Sequence, residues 1–380
     1  MAKTVIVFLL RGISACRLPW HGSSWVSAPT LERFAAQSKV FDNHLSNSII
    51  SDECDKVLFP IKLLETLISN RTELFWLCDK ESVSPCKIFS RINCDLNDAL
   101  EWLAHLSKCL QGSSQKSKLI VIELRHGLPP WKLTSNECNT FFPYLDRNKA
   151  EDDEEINPES LKKELNTDVE DEFIHAHPWD GNLPEYVDPD DDLTHLRLIE
   201  TQAAKLFGLD EFIKPMFDII ASNMGVLVIG DRGLEVGDRS VLGAENPLPW
   251  FTRIHVPCVW YDPYQVLLPQ RVVSFTHHGD IAATLGNYLV GSGVIEAPAN
   301  SIDLLEVAQA DRNSPVDRFI ISSGINGTLA IRVPEWSLMV ANEKEPMLFK
   351  IPQDKWEVLN LASQHSEIIE QITALMNANK

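Results

Sequence analysis

Short apolar runs alternate with amphipathic stretches along most of this chain, the pattern of an α/β domain built on a mostly parallel sheet. Four runs have the length and aliphatic content of buried strands: Val5–Leu10, Leu74–Leu77, Leu119–Leu124 and Val226–Ile229. Helices are expected between them. Pro29 opens one that runs through Ala36, since proline is tolerated in a first turn, where its missing N–H has no helical partner. Asp95–Leu110 spaces Leu100, Leu103 and Leu106 for one face. Leu196–Ala221 repeats apolar residues at helical spacing, with Pro215 expected to bend or interrupt it. Residues 146–195 break the pattern. They are acidic and proline-bearing, with little periodicity beyond Phe173-Ile174, and read as a surface excursion, disordered in part of its first half.

After residue 295 the texture changes again. Phe319–Ser322, Thr328–Val333 and Ser337–Val340 read as short antiparallel strands, with Asn326-Gly327 as a hairpin turn. Pro346–Ile351 adds a further strand and Ser363–Met376 a closing amphipathic helix. The expected division is an α/β core over 1–295 and a small C-terminal α+β subdomain over 296–380. A length of 380 residues suffices for a sizeable core, and no apolar run approaches the roughly 20 residues of a membrane span. The run Val5–Leu10 is ended by Arg11 and is shorter than the core of most export signals, so it is read as a buried strand.

Charge narrows the partners. A formal net charge of −20 repels nucleic acid and anionic lipid, so neither is expected as a partner. The runs Glu151–Glu155 and Asp188–Asp192 read as solvated loop, lacking the spaced ligands, glycine and terminal glutamate of a calcium loop. Eight cysteines without a CxxC pair point to reduced thiols and a cytoplasmic location.

Several segments, in order, resemble the sulfatase family of the alkaline phosphatase-like superfamily. Ala28–Ala35 with Val40-Phe41-Asp42-Asn43 is similar to its "TPNLDRLA…VFxN" helix and strand, and Val226–Gly233, reading VLVIGDRG, to its "VIxTSDHG". Pro129-Pro130-Trp131 and His177-Pro178-Trp179 resemble its Pro-Trp elements, and Asp238, Gly243 and Arg253–Pro257 continue the likeness. Val273–Leu285 resembles "HVDLAPTLL", Arg332–Trp336 "LRTxxWKL", and Leu359–Ala362 the final "xNLA". The resemblance implies an alkaline phosphatase/sulfatase-like core with a mixed, mostly parallel sheet flanked by helices. It also implies hydrolysis of sulfate esters by an oxidised cysteine or serine in C/S-x-P-S-R. A divalent metal, usually calcium, and a set of Lys, His and Arg residues would neutralise the transferring group.

Measured against that chemistry, the chain departs at several places. Where the family ends its first strand on two aspartates, this sequence reads Leu9-Leu10-Arg11-Gly12, and no Asp or Glu precedes Glu32. The nucleophile's place falls at Ser51, in Ser51-Asp52-Glu53-Cys54-Asp55, where the motif's proline becomes Glu53 and its arginine Asp55. Cys54 is a displaced alternative, with an anionic neighbour that raises a thiol's pKa. Asp231 matches a metal aspartate, Arg232 replaces a histidine or asparagine, and the family's lysine falls at Ala244, beside Glu245. The candidate catalytic residues are Ser51, His126 and His177, with His175 nearby; Arg11 and Arg232 are candidate anion binders and Asp231 a candidate metal ligand. His277-His278 match no catalytic motif, and Trp131 and Trp179 are expected to pack. Two readings stay open. One is a pseudoenzyme without a cofactor that binds a sulfate or phosphate ester or a protein partner. The other is a sulfuric ester hydrolase with an altered site, using calcium if any metal site survives.

Overall fold

The computed structural model describes residues 2–82, 87–111, 115–142, 177–220, 222–236, 246–264, 269–293, 298, 300–311, 318–341 and 344–378. Asp238, Gly243, Ala244, Glu245, His175, Phe173-Ile174, Cys86 and the run Glu151–Glu155 lie outside them.

Among the described residues, twelve strands form two sheets. The larger contains β1 (Thr4–Gly12), β2 (Lys39–Leu45), β3 (Glu73–Asp79), β4 (Ser90–Cys94), β5 (Lys118–Leu124), β6 (Gly225–Gly233), β7 (Cys258–Tyr261) and β8 (Gln270–His277). Its order is β4-β3-β5-β1-β6-β7-β2-β8, parallel except for β7, which runs antiparallel to both neighbours. The helices in chain order are α1 (Pro29–Ala36), α2 (Ser51–Leu58), α3 (Ile61–Ser69), α4 (Ala99–Leu110), α5 (Ser135–Phe141), α6 (Asp192–Ile219), α7 (Phe251–Ile254), α8 (His278–Leu289), α9 (Leu304–Asp311) and α10 (Ser366–Ala378).

The unbroken apolar run of β1 follows from burial on both faces. Val5, Val7 and Leu9 join a cluster with Leu58, Leu63, Leu67 and Leu285 from α2, α3 and α8. Ile6, Phe8 and Leu10 point the other way, to Leu31, Trp102, Leu106 and Ile213 from α1, α4 and α6. A strand's two-residue period thus serves both layers of a helix–sheet–helix sandwich. Among the described residues no helix is long and apolar enough to cross a membrane.

Several expectations need correction. The fourth helix starts at Ala99, because Asp98 accepts from the Leu100 and Glu101 amides and fixes the start there. Its buried face is Trp102, Leu106 and Cys109, whereas Leu100 is 74% exposed. The long helix begins at Asp192, inside the segment read as an excursion, with Asp191 capping it, and it passes through Pro215 without interruption. Burial of Leu198, Leu206, Leu209, Ile213 and Met216 on its inner side holds it across the proline. All seven described cysteines are free thiols.

α1 has no side-chain cap of its own. Asp210 on α6 supplies one, its carboxylate accepting the Thr30 amide at 2.9 Å and the Leu31 amide at 2.8 Å while fully buried. Asp210→Ala strands two buried donors and is expected to lower stability by about 2–3 kcal/mol, read from a urea unfolding curve; a loss under about 0.5 kcal/mol would refute the capping role.

The smaller sheet, β9 (Ile320–Ser323), β10 (Leu329–Val333), β11 (Trp336–Val340) and β12 (Met347–Lys350), is antiparallel in the order β12-β11-β10-β9. Asn326 and Gly327 take φ of 56° and 75° in the connection between β9 and β10, as an Asn-Gly turn requires. One face, with Ile320, Ala330, Met339 and Phe349, packs on Leu45, Ile49 and Ile254 of the core. The other, with Ile331, Leu338 and Leu348, is covered by Ile372 and Met376 of α10. α9 packs in the large-sheet core through Leu304, Val307 and Ala308, and the small sheet begins at Ile320.

Candidate functional site

Parallel strands bring the carboxyl ends of β1, β5 and β6 to one edge of the sheet, with Leu9 beside Glu123 and Leu10 beside Gly230. α2 starts at the same edge. Four ionic side chains meet there: Arg11 from β1, Asp55 from α2, Glu123 from β5 and Asp231 from β6. Each is less than 5% exposed.

Arg11 is at the centre. Its Nη1 and Nη2 donate to the two Asp55 oxygens at 2.7 and 2.8 Å, a bidentate pair. Its Nε donates to Glu123 at 2.8 Å and Nη1 again to Asp231 at 3.2 Å. Four of the five guanidinium N–H groups are thus directed at carboxylates. Burial works to remove the charge, but Asp55, Asp231 and Glu123 hold the Arg11 pKa well above its ordinary value. The next residue, Gly12, has φ of 74°, and a Cβ there would lie 2.5 Å from the Leu128 side chain. That close approach explains the glycine after Arg11.

The carboxylates are equally committed. Asp231 Oδ1 accepts the amides of Gly12 at 3.0 Å and Arg232 at 2.6 Å, and Oδ2 accepts Ser51 Oγ at 2.6 Å besides Arg11. Burial pushes its pKa up, but Arg11, Arg232 and Ser51 together bring it below the usual value. Burial raises Asp55 to about 6 against the pull of Arg11. Glu123 also accepts Trp76 Nε1 at 2.8 Å and the Ser82 hydroxyl.

Ser51, at the first position of α2, is half-buried; besides donating to Asp231 it accepts from Arg232 Nε at 3.1 Å. Cys54 faces inward, donating to the Ser48 carbonyl, and burial raises its pKa well above that of a free thiol, which disfavours the thiolate. His126 does not join this cluster. It lines a separate cleft of about 330 Å³ with Arg125, Trp131 and Lys132 and packs on Phe212; burial depresses its pKa to about 3. His177 is exposed and offers Arg197 only its backbone carbonyl. Trp131 is buried among Val187, Leu198 and Leu234, as expected of a packing residue. His278 was not matched to any motif, yet its Nε2 donates at 3.1 Å to Gly230, the residue before Asp231.

No protein-family model and no curated protein matches the chain. Solved structures do. A protein solved in complex with its substrate D-glucosamine-2-N,6-O-disulfate superposes with a TM-score of 0.71 at 10% identity, covering 100% of this chain and 97% of that one. A 2-O glycosaminoglycan sulfatase gives 0.69 at 13% identity, with 100% and 92% covered. The phosphonate monoester hydrolase of Agrobacterium radiobacter gives 0.69 at 14% identity, with 100% and 96% covered. This chain has the sulfatase fold. At these identities the likeness is one of architecture, and function has to be read from the site.

The calcium that the sulfatase resemblance implies does not fit the residues present. Its seat would need carboxylate oxygens turned to one point, but Asp231 and its neighbours turn theirs to the Arg11 guanidinium and to backbone amides. Among the described residues no group of three His, Cys, Asp or Glu is placed to hold a metal ion. Two departures from the sulfatase pattern also prove to be partners. The cation in place of the first-strand aspartates and the carboxylate in place of the motif arginine are Arg11 and Asp55, bound to each other. Asp55 and Glu123 were missed as site residues. The signal for Glu123 was a lone carboxylate in the buried strand Lys118–Leu124, and for Asp55 two opposite charge reversals in one site.

Proposed function

We propose that this sulfatase-fold chain is a non-catalytic binding protein, without metal-dependent hydrolysis of sulfate or phosphate esters. The bidentate Arg11–Asp55 pair carries the reading, because it sets a fixed organic cation among the carboxylates that a dication would need. Arg11 cannot serve an external anion while so engaged. Three carboxylates against the guanidiniums of Arg11 and Arg232 also leave the cluster negative, which repels an ester anion from the half-buried Ser51 and Arg232. Of an ester anion at this cluster and a protein partner, the charge balance favours the partner.

The test is calorimetric titration of metal-stripped protein with CaCl2 and MgCl2 at neutral pH, with the expected result that no one-site binding is seen. Tight binding of one ion per chain would sink the proposal. One observation favours the hydrolase reading: Ser51 Oγ lies 2.6 Å from the Asp231 carboxylate, a nucleophile beside a base. The depressed pKa of Asp231 makes it a weak base. If any aryl sulfate or phosphonate ester is turned over, Ser51→Ala must abolish it for that reading to stand.

A further inference from the structure

We infer that a cavity between the two sheets is a binding pocket for a flat aromatic acid of one or two rings. About 340 Å³ in volume, it is lined by Phe251 and His255 at α7, Phe275 of β8, Arg332 of β10, and Lys355 and Trp356 after β12. That volume falls in the range of small-molecule pockets. None of the ionic residues around Arg11 lines it, so the inference stands apart from the reading of that cluster. The walls are tied in place by the residue after Trp356. Glu357 is buried; its Oε1 accepts Arg332 Nη2 at 2.6 Å and Ser337 Oγ at 2.8 Å, and its Oε2 accepts the Phe251 amide at 2.8 Å. The Phe251 ring stacks with His255 at 4.4 Å and has the Arg332 guanidinium 4.4 Å from its centroid. Trp356 nonetheless stays 42% exposed, an indole face that a ligand ring would cover.

Charge selects an acid. No aspartate or glutamate lines the cavity, although the chain has 54 of them. Two cations do. Arg332 is neutralised by Glu357, whereas Lys355 has no carboxylate partner among the described residues, and its ammonium lies 5.0 Å from the Trp356 ring centroid. The histidines add no charge: burial holds His255 at about 4 and His21 at about 2. The pocket therefore presents one unmatched positive charge beside aromatic walls. A ring laid on Trp356 brings its carboxylate within reach of Lys355, and a charge in contact outweighs those beyond a screening length of about 8 Å.

The probe is naphthalene-2-carboxylate, with naphthalene-2-carboxamide as its uncharged counterpart, each titrated into the full chain by calorimetry at neutral pH and low salt. The acid is expected to bind one per chain with a Kd of about 10–100 μM, and the amide about tenfold more weakly. Lys355→Met should erase that preference by bringing the acid to the amide's affinity, while Trp356→Ala should weaken both by about tenfold. Both side chains are exposed, so the variants are expected to keep the circular dichroism of wild type. Should Trp356→Ala not fold, Lys355→Met and the comparison of acid with amide decide. No saturable binding of the acid up to about 1 mM overturns the inference, as does binding that both substitutions leave unchanged. Equal affinity for acid and amide, the behaviour of a socket for a partner's aromatic side chain, overturns it too.

Discussion

Asp55→Ala is expected to lower stability by about 3–5 kcal/mol, a large share of what a chain of this size has, because it leaves the Arg11 guanidinium buried without its bidentate partner. The cost comes less from the lost attraction than from stranding a charge that burial already penalises. Arg11→Asp alone is worse: it would gather four carboxylates with Arg232 as the nearest cation, and it is expected not to fold. Combining the two positions changes the outcome. The double variant Arg11→Asp/Asp55→Arg restores a carboxylate on β1 and a cation on α2, the order the sulfatase resemblance implies, and keeps the cluster's total charge. It is expected to fold and to recover at least about half of the stability lost in Asp55→Ala, a coupling measurable from urea midpoints. Were the double variant no better than Arg11→Asp alone, the pair would not be a reciprocal exchange, and Glu123 and Asp231 would be the partners that matter.

That pair also shows where the sequence could be read and where it could not. The run Val5–Leu10, the helix Pro29–Ala36 and the tail strands were legible because burial on one or two faces writes its period into neighbouring residues. β4 left no such trace: at the edge of the sheet, Ser90, Arg91 and Asn93 face solvent, and Cys94 alone is fully buried. The reversal of charge at Arg11 and at Asp55 was visible at each position separately. Their contact was not, since it joins a strand end to a helix 44 residues on through a fold that must be known first. The Pro-Trp neighbourhoods of His126 and His177 drew attention to both histidines, yet one lines another cleft and the other lies exposed. Proximity in sequence to a recognisable motif did not give their side chains a shared target.

Mild acid should unfold this protein. Burial depresses the pKa of His21 to about 2, of His126 and His278 to about 3 and of His255 to about 4, and it lowers His44 and His277 as well. In the unfolded chain each returns to about 6.5. Between the folded and unfolded values the unfolded state binds more protons, so stability rises with pH across that window. It is full above pH 6.5 and falls as pH drops towards 4, by up to about 1.4 kcal/mol per pH unit for each histidine. Asp55 works the other way: raised to about 6, it binds its proton more readily in the folded state between its ordinary value and 6, and there it favours folding as pH falls. Burial raises Asp42 and Glu200 as well, but three carboxyls do not offset six imidazoles. The expected loss is on the order of 5 kcal/mol or more between pH 6.5 and 5, read from urea midpoints across that range. His126→Phe, which keeps the packing on Phe212, should flatten the slope by about one histidine's share, up to about 1.4 kcal/mol per pH unit. Stability that stayed level down to pH 4.5 would mean that these rings reach water when they charge, and that the neutral, buried histidines around the sheet edge are not what holds it closed.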